Sequence, residues 1–501
     1  MRRSKFSLSH YVLGTCKMGY MLPIGLTEVL PGDSFQHATS VFMRLAPMLA
    51  PVMHPVQVKI HHWFVPHRLV WDEFEDFITG GPDGLNVSEF PIVKAPSGGF
   101  AVGSLADHLG LPPEIPDLEV SALPFRAYAL IYNEWYRDQD LENVLAISMD
   151  SGLDTTTSQV LMRGDWERDY FTTARPWPRK GMAVTVPVNS TSETVYPVTP
   201  IGGTGASSPT FNRGTNPGNV NDPLACNNGQ RQVVQGDVPA ENPIEQLYWN
   251  SPNLEVRAGS VSGAVGQVDI NQLREAFALQ RFMEARSMYG SRYVELLRTL
   301  GIKASDARLQ RPEYLGGGKQ TIQFSEVLQT AEGSDPVGTL RGHGIAAMRS
   351  NRYRRFFEEH GYVISILMIR PKSIYMKGVP RTWLRRVKED FWTKELQHIG
   401  QQEVLTQELY GAAEPGTIFG YQNRYDDYRQ HLSYVAGEFR DQLDYWHLAR
   451  NFANEPVLNA DFISSAPSER IFAAQQNDQI YYMANHNIQA RRLMAKFGNP
   501  I

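Results

Sequence analysis

Cysteine is nearly absent from this chain: Cys16 and Cys226 are the only two among 501 residues. Two thiols so far apart supply neither a disulfide framework nor a cysteine-based zinc site, and a reducing compartment is the expected place for folding. Long apolar runs are missing as well. The cleanest stretch is Tyr362 to Ile369, broken only by Ser365, far short of the roughly 20 residues a membrane helix needs. Behind the basic start (Arg2, Arg3, Lys5), His10, Gly14 and Lys17 interrupt any signal-peptide core, so neither membrane insertion nor secretion is expected. Lysine is scarce too, at 12 Lys against 36 Arg, within a formal net charge of −5. A mildly acidic chain is not built as a whole to coat nucleic acid. The arginine excess suits interface ion pairs and phosphate contacts, although genome base composition produces the same bias.

Catalytic signatures are missing in a similar way. His54, His61, His62 and His67 cluster near one strand, but adjacent residues of a strand point to opposite faces, so His61 and His62 cannot chelate one ion together. Phe357-Glu358-Glu359-His360 lacks the second histidine of a helical zinc protease. Leu315-Gly316-Gly317-Gly318-Lys319-Gln320 has Glu313 and Gln320 where a phosphate loop needs glycine and Ser/Thr. Gly259-Ser260-Val261-Ser262-Gly263 puts Val261 at the nucleophile's place. Arg341-Gly342-His343-Gly344 reads as a turn, and Asp426-Asp427 as solvated surface charge. No enzyme, metal site or cofactor is expected.

What is present is an ordinary globular composition, 42% hydrophobic, 20% charged and 11% aromatic, which excludes bulk disorder and a collagen-like fibre. Strand patterns lead. Met18 to Leu30 and Ser34 to Leu45 flank the turn Pro31-Gly32-Asp33, and Val56, Val58 and Ile60 alternate with Gln57, Lys59 and His61. Tyr362 to Tyr375 is apolar on both faces, as in a buried central strand. Helices are expected at Trp71–Ile78, from Pro124 onward with Phe125, Tyr128, Tyr132 and Trp135 at helical spacing, and over about Asp269–Leu300. The last carries the stripe Leu273, Phe277, Tyr289, Tyr293, Leu296 and Leu300 and is interrupted by Gly290.

The window Pro187 to Ala240 differs in kind: 31 of its 54 residues are Gly, Pro, Ser, Thr or Asn and only five are charged. It is no core element, and long loops of this sort are functional or linkers. An insertion in one strand-rich fold is the expected reading, with a linker between two domains as the alternative. Basic clusters with interleaved aromatics lie at Arg2-Arg3-Lys5, Arg349 with Arg352-Arg354-Arg355, Arg381-Arg385-Arg386-Lys388 and Arg491-Arg492-Lys496. They suit phosphate contact beside base stacking, or solvated and salt-bridged surface. The two termini (Arg2, Arg3, Lys5, Arg491, Arg492, Lys496) are the candidate nucleic-acid contacts.

Five stretches resemble the major capsid protein of the Microviridae, small icosahedral single-stranded DNA bacteriophages. They are Leu8-Ser9-His10, Leu30-Pro31-Gly32-Asp33-Ser34-Phe35, Phe64-Val65-Pro66-His67-Arg68-Leu69-Val70-Trp71, Tyr170-Phe171-Thr172-Thr173-Ala174-Arg175-Pro176-Trp177-Pro178 and Arg311-Pro312-Glu313-Tyr314-Leu315-Gly316-Gly317. The resemblance spans both flanks of the polar window. It implies a mainly β fold: an eight-stranded antiparallel jelly roll with long helix- and loop-containing insertions, built into a T=1 shell. Residues 1–186 would begin the jelly-roll core, 187–268 would form a surface protrusion as in the gokushovirus-like branch, and 269–501 would complete the core. In the protrusion Thr204, Phe211, Asn212, Arg213, Asn216 and Asn219 are candidate host contacts.

The implied partners are further copies of the chain, joined through pentamers, packaged single-stranded DNA, a minor pilot protein, a small basic DNA-binding protein and a bacterial receptor. Assembly is expected in the host cytoplasm. About sixty copies in a closed shell would carry a formal charge of roughly −300 at −5 each. Genome condensation would then depend on the small basic protein, polyamines or divalent cations. A jelly-roll lectin and a jelly-roll enzyme are the alternative readings.

Overall fold

The computed structural model describes residues 3–185, 270–328 and 339–496, together with the backbone of 211–213, 223–224 and 247–249. Strands dominate, as the sequence patterns lead one to expect. β1 (Ser4–Ser7), β2 (His10–Cys16), β3 (Met21–Val29), β4 (Ser34–Leu45) and β5 (Val56–Pro66) precede the short pair β6 (Ile92–Lys94) and β7 (Glu119–Ser121). After β8 (Phe211–Arg213), β9 (Pro223–Leu224) and β10 (Leu247–Trp249) come β11 (Glu313–Thr321), β12 (Gln323–Leu328), β13 (Leu340–Arg349), β14 (Tyr353–Phe356) and β15 (Gly361–Pro371). The pair β16 (Gln401–Leu405) and β17 (Ile418–Asn423) and the long β18 (Ile480–Arg492) close the series.

The chain divides into two compact units, Met1–Met182 with Gln280–Ile501, and Ala183–Leu279. In the second, β8 pairs antiparallel with both β10 and β9, with Trp249 opposite Phe211 and Pro223 opposite Asn212.

The first unit is built on two antiparallel sheets. One has seven strands in the order β1–β18–β4–β13–β12, with β2 also paired to β18 and β14 also paired to β4. The other has four, in the order β11–β5–β15–β3. Strand alternation supplies their shared core. Val41, Met43, Leu45, Tyr482 and Ala484 of the larger sheet pack in one cluster with Leu22, Ile24, Val58, Ile60, Leu367 and Ile369 of the smaller.

The far face of the four-stranded sheet is also buried. Trp63, Val65, Ile364, Ile366 and Met368 meet a second cluster contributed by the long β5–β11 connection. That connection carries α1 (Phe74–Thr79), α2 (Leu105–His108) and α3 (Leu123–Ile131). Pro124 sits in the first turn of α3, where a missing N–H costs nothing. Phe125, Tyr128 and Tyr132, read from helical spacing, are buried, and Tyr132 to Tyr136 widen into a π turn. β15 accordingly carries apolar residues on both faces. Beneath it Arg126 is fully buried: its Nε donates to Asp154 at 2.7 Å, and its two Nη groups donate to the Val70 and Asp150 carbonyls.

Several expectations are corrected. Arg341-Gly342-His343-Gly344 is not a turn but part of β13. A Cβ at Gly342 would lie 2.1 Å from the Ala50 carbonyl oxygen, so glycine marks a close backbone approach rather than a bend. The glycine run at 316–318, which Glu313 and Gln320 already set apart from a phosphate loop, lies in strand β11, and a Cβ at Gly317 would lie 2.3 Å from the Ile60 carbonyl oxygen. Asp426 and Asp427 are not solvated: Asp427 pairs with Arg385 at 2.6 Å and Asp426 with Arg429 at 3.3 Å, both carboxylates largely covered. The helix expected over 269–300 is two, α4 (Ile270–Tyr289) and α5 (Tyr293–Thr299), broken at Gly290 with φ +95°. Tyr289, Tyr293, Leu296 and Leu300 of its stripe remain exposed.

Candidate functional site

The two basic termini, 486 positions apart at Lys5 and Arg491, meet because β1 and β18 are antiparallel neighbours with those two residues directly opposite. Arg3 extends the cluster: its guanidinium lies 4.8 Å above the Phe356 ring and donates to Ser34 Oγ at 3.1 Å. Arg492, next along β18, turns the other way. It sits 3.1 Å from the buried Asp33 carboxylate and donates to the Glu28 carbonyl at 2.7 Å. Burial raises the Asp33 carboxyl pKa and the Arg492 charge opposes that shift. Arg492 is therefore an internal counter-ion rather than a free cation. Lys496 lies just past the end of β18, and Arg2 lies outside the described residues. Of the protrusion candidates, Phe211, Asn212 and Arg213 form β8, while Thr204, Asn216 and Asn219 lie outside the described residues.

Following the strand register inward from Lys5 and Arg491 defines one continuous outward face of the seven-stranded sheet. Leu13, Met483, Phe42 and Ala347 stand side by side on β2, β18, β4 and β13. Tyr11, Asn485, Ser40 and Arg349 form the next row, and Thr15, Tyr481, Arg44 and Ile345 the row on the other side. Nearer the termini come Gln489, Gln36 and Arg354. Tyr11 and Leu13 are 69% and 77% exposed, and Phe42, Tyr481 and Met483 are also open to solvent. Apart from Arg349 and Arg354, which sequence proximity groups with Arg352 and Arg355, none of these residues stands out by local clustering. The signal that finds them is period-two alternation along β18 and β4, combined with a pairing that spans more than 400 residues.

The remaining basic run is different. Arg381 is 2.7 Å from Glu408, and Arg385 is held between Asp427 and the Tyr428 ring. Arg355 pairs with Glu313. Arg381 and Arg385 are neutralised inside the fold, whereas Arg355 is half exposed.

The histidines on and between the two sheets make structural contacts. His61 bonds the Tyr136 hydroxyl at 2.7 Å, whereas its neighbour His62 faces the inter-sheet core between Ser365 Oγ (2.8 Å) and Ser350 Oγ (3.1 Å). His486 Nε2–H donates to the Ile24 carbonyl at 2.8 Å, which leaves Nδ1 as an acceptor 3.2 Å from His37 Nε2 and 2.9 Å from Thr39 Oγ1. His37 Nδ1 in turn meets the Tyr353 hydroxyl at 3.0 Å. Burial, reinforced by the other histidines, pushes His37 down to about 2, His62 to about 3 and His486 to about 4, so all three are neutral at pH 7. Among the described residues no group of three or more His, Cys, Asp or Glu is placed to hold a metal ion. No helix among them is long and apolar enough to cross a membrane.

This two-sheet architecture, with its long connections, has close counterparts in sequence. A family model described as "Capsid protein (F protein)" matches residues 1–501. The chain is similar to the capsid protein VP1 of Bdellovibrio phage phiMH2K, 38% identical over 95% of this chain and 90% of that protein. The VP1 of Chlamydia phage 1 is 32% identical over 100% of this chain and 96% of its own length. That of Spiroplasma virus 4 is 30% identical over 92% and 87%. A whole-length family match and three near-full-length relatives place this chain in the capsid-protein family of the Microviridae, a structural family rather than an enzymatic one.

Proposed function

We propose that the chain folds as an eight-stranded jelly roll and that about sixty copies close into a T=1 shell around single-stranded DNA. As a member of a capsid family it is a virion protein that self-assembles. The observation that carries the finer reading is the pairing order. Counting β2, β3, β4, β5, β11, β13, β15 and β18 as eight principal strands, the first pairs with the eighth, the second with the seventh, the third with the sixth and the fourth with the fifth, each antiparallel. A ribbon of four such pairs, rolled up, places alternate pairs in opposite sheets, which is the plan of a double Greek key. Strand alternation then leaves only loops and outward faces for contacts between copies.

The segment 187–268 is, in this reading, a protrusion inserted between β5 and β11, which pair with each other from either side of it. It contacts the bacterial host, and Thr204, Phe211, Asn212, Arg213, Asn216 and Asn219 are its candidate contacts. A pilot protein and a small basic DNA-binding protein complete the virion.

Light scattering and negative-stain microscopy of the purified chain test the shell: uniform icosahedral particles or pentamers are expected. A protein that stays monomeric when supplied with its virion partners and single-stranded DNA would refute it. Deleting 187–268 should spare folding and abolish adsorption, and a fully infectious deletion phage would refute the protrusion's role.

A further inference from the structure

Two stretches of the first unit carry charge that the fold leaves unbalanced. Residues 72–90 hold six carboxylates (Asp72, Glu73, Glu75, Asp76, Asp83 and Glu89) and no Lys, Arg or His. None of the six belongs to an ion pair among the described residues. Residues 281–308 reverse the balance, with six Lys or Arg against three acids. Those acids are used internally: Glu284 accepts from the Gln280 amide, Glu295 from the Arg292 backbone N–H, and Asp306 pairs with Arg311. Arg281, Arg286, Arg298, Lys303 and Arg308 therefore have no carboxylate partner among the described residues. Both stretches also expose large apolar side chains: Ile78, Leu85 and Val87 in the first, Tyr289, Tyr293 and Leu300 in the second. Exposed apolar groups rimmed by polar residues mark protein–protein sites.

The two stretches sit at opposite ends of one helical run. Trp71 stacks with Phe74, Phe77 and Phe90, which ties 72–90 beside Val70, and the Val70 carbonyl is held by Arg126 near the start of α3. At the far end Arg292 donates to the carbonyls of Asn133 and Glu134, and Arg298 lies over the Trp135 ring. The run between them, α3 with its π turn, is roughly 20 Å long. No ion pair among the described residues joins the two stretches.

We propose that the acidic stretch 72–90 of one copy docks on the basic helical stretch 281–308 of a second copy. This contact rests on the shell reading above and deepens it by naming two faces that meet. Charge complementarity selects the occupant. A polyanion would match the basic stretch and be repelled by the acidic one, and a basic partner would do the reverse. A second copy matches both, because every chain carries the two halves in equal number. The same contact buries the exposed apolar residues of both stretches, which gives an apolar centre inside a charged rim. Opposite charge then speeds the encounter and fixes its register, while apolar burial supplies most of the affinity. Because the two patches are unlike, each copy both offers and receives the contact.

The test is sedimentation velocity of the full chain, supplied with its virion partners, with urea midpoints measured on the same preparations. Wild-type association should weaken between about 0.1 M and about 1 M salt, where the screening length falls from roughly 10 Å to 3 Å. Asp76→Lys with Glu89→Lys should weaken association on the order of a hundredfold at low salt, because it sets like charges against each other. Arg298→Glu with Lys303→Glu should do the same from the other side. All four positions are exposed, so the urea midpoint should not move. The neutral pair Asp76→Asn, Glu89→Gln should weaken association less, by roughly five- to tenfold. Combining both reversals in one chain should restore association, since the patches are then complementary again with their signs exchanged. Reversed variants that assemble like wild type overturn the contact and leave the shell standing. Reversals that each weaken association but do not rescue one another also overturn it, because the two stretches would then meet other partners. A wild-type chain that stays monomeric under these conditions refutes the shell reading and this contact together.

Discussion

The two sheets of this molecule share one core and differ in what lies on their other sides. The four-stranded sheet is sandwiched: the shared core covers one face, and α3 with its neighbouring loops covers the other. The seven-stranded sheet has the core on one face only, and its opposite face is open, basic and aromatic. The connection after β5 folds back onto its own sheet, whereas Tyr11, Leu13, Phe42, Tyr481 and Met483 leave the outward face of the larger sheet exposed. A sheet buried twice is fixed by packing, and its sequence is constrained at every position. A sheet buried once is constrained at alternate positions, and the others are free to acquire a binding role.

That contrast can be broken or sharpened by mutation. The largest effect should come from the layer that covers the four-stranded sheet. Arg126→Ala leaves Asp154 buried without its partner and should cost about 3–5 kcal/mol, measured by chemical denaturation of the soluble protein. Leu367→Ala, between the sheets on doubly buried β15, should cost about 2–5 kcal/mol with an unchanged m-value. An effect as small as a surface substitution at either site would contradict the packing described above.

Acid should act on the seam between the sheets. The folded pKa values of His37, His62 and His486 lie below the ordinary histidine value, so the unfolded chain binds protons first and stability falls as pH drops below about 6.5. Each such group contributes up to about 1.4 kcal/mol per pH unit until its folded value is reached. Urea midpoints at pH 7 and pH 5 measure this, and His486→Gln should flatten the difference. A midpoint that does not fall between those two values would mean the cluster is solvated. The smallest effect is expected on the open face, where Met483→Ala should shift stability by no more than about 0.5 kcal/mol. A loss of several kcal/mol there would show that the face is packed after all.

Much of this was legible from residues alone. Alternation gave Val56, Val58 and Ile60 a common inward face, and apolarity broken only by Ser365 marked β15 as central, because burial on two sides disfavours polar residues that lack an internal partner. Helical spacing after Pro124 located α3. The glycines at 342 and 344 misled, because glycine serves equally for bends and for close backbone approach, and only the facing strand tells which. Asp427 and Arg385 read as separate surface charges because 42 residues separate two side chains that the fold sets 2.6 Å apart.

The terminal clusters show the same limit from the other direction. Their charge was evident, but Arg492 becomes the counter-ion of Asp33 while Arg491 beside it points outward, a difference of one residue in strand parity.

The strand-dominated class and the resemblance to the capsid family were readable in the sequence, since these depend on local periodicity, composition and short motifs. Tertiary structure alone decided which arginines are neutralised by buried carboxylates, which histidines meet, and that the outward strand positions of one sheet carry cations and no carboxylate of their own. Those outcomes depend on strand register between segments hundreds of residues apart, and register is fixed by the cooperative packing of two sheets rather than by any segment's own preference.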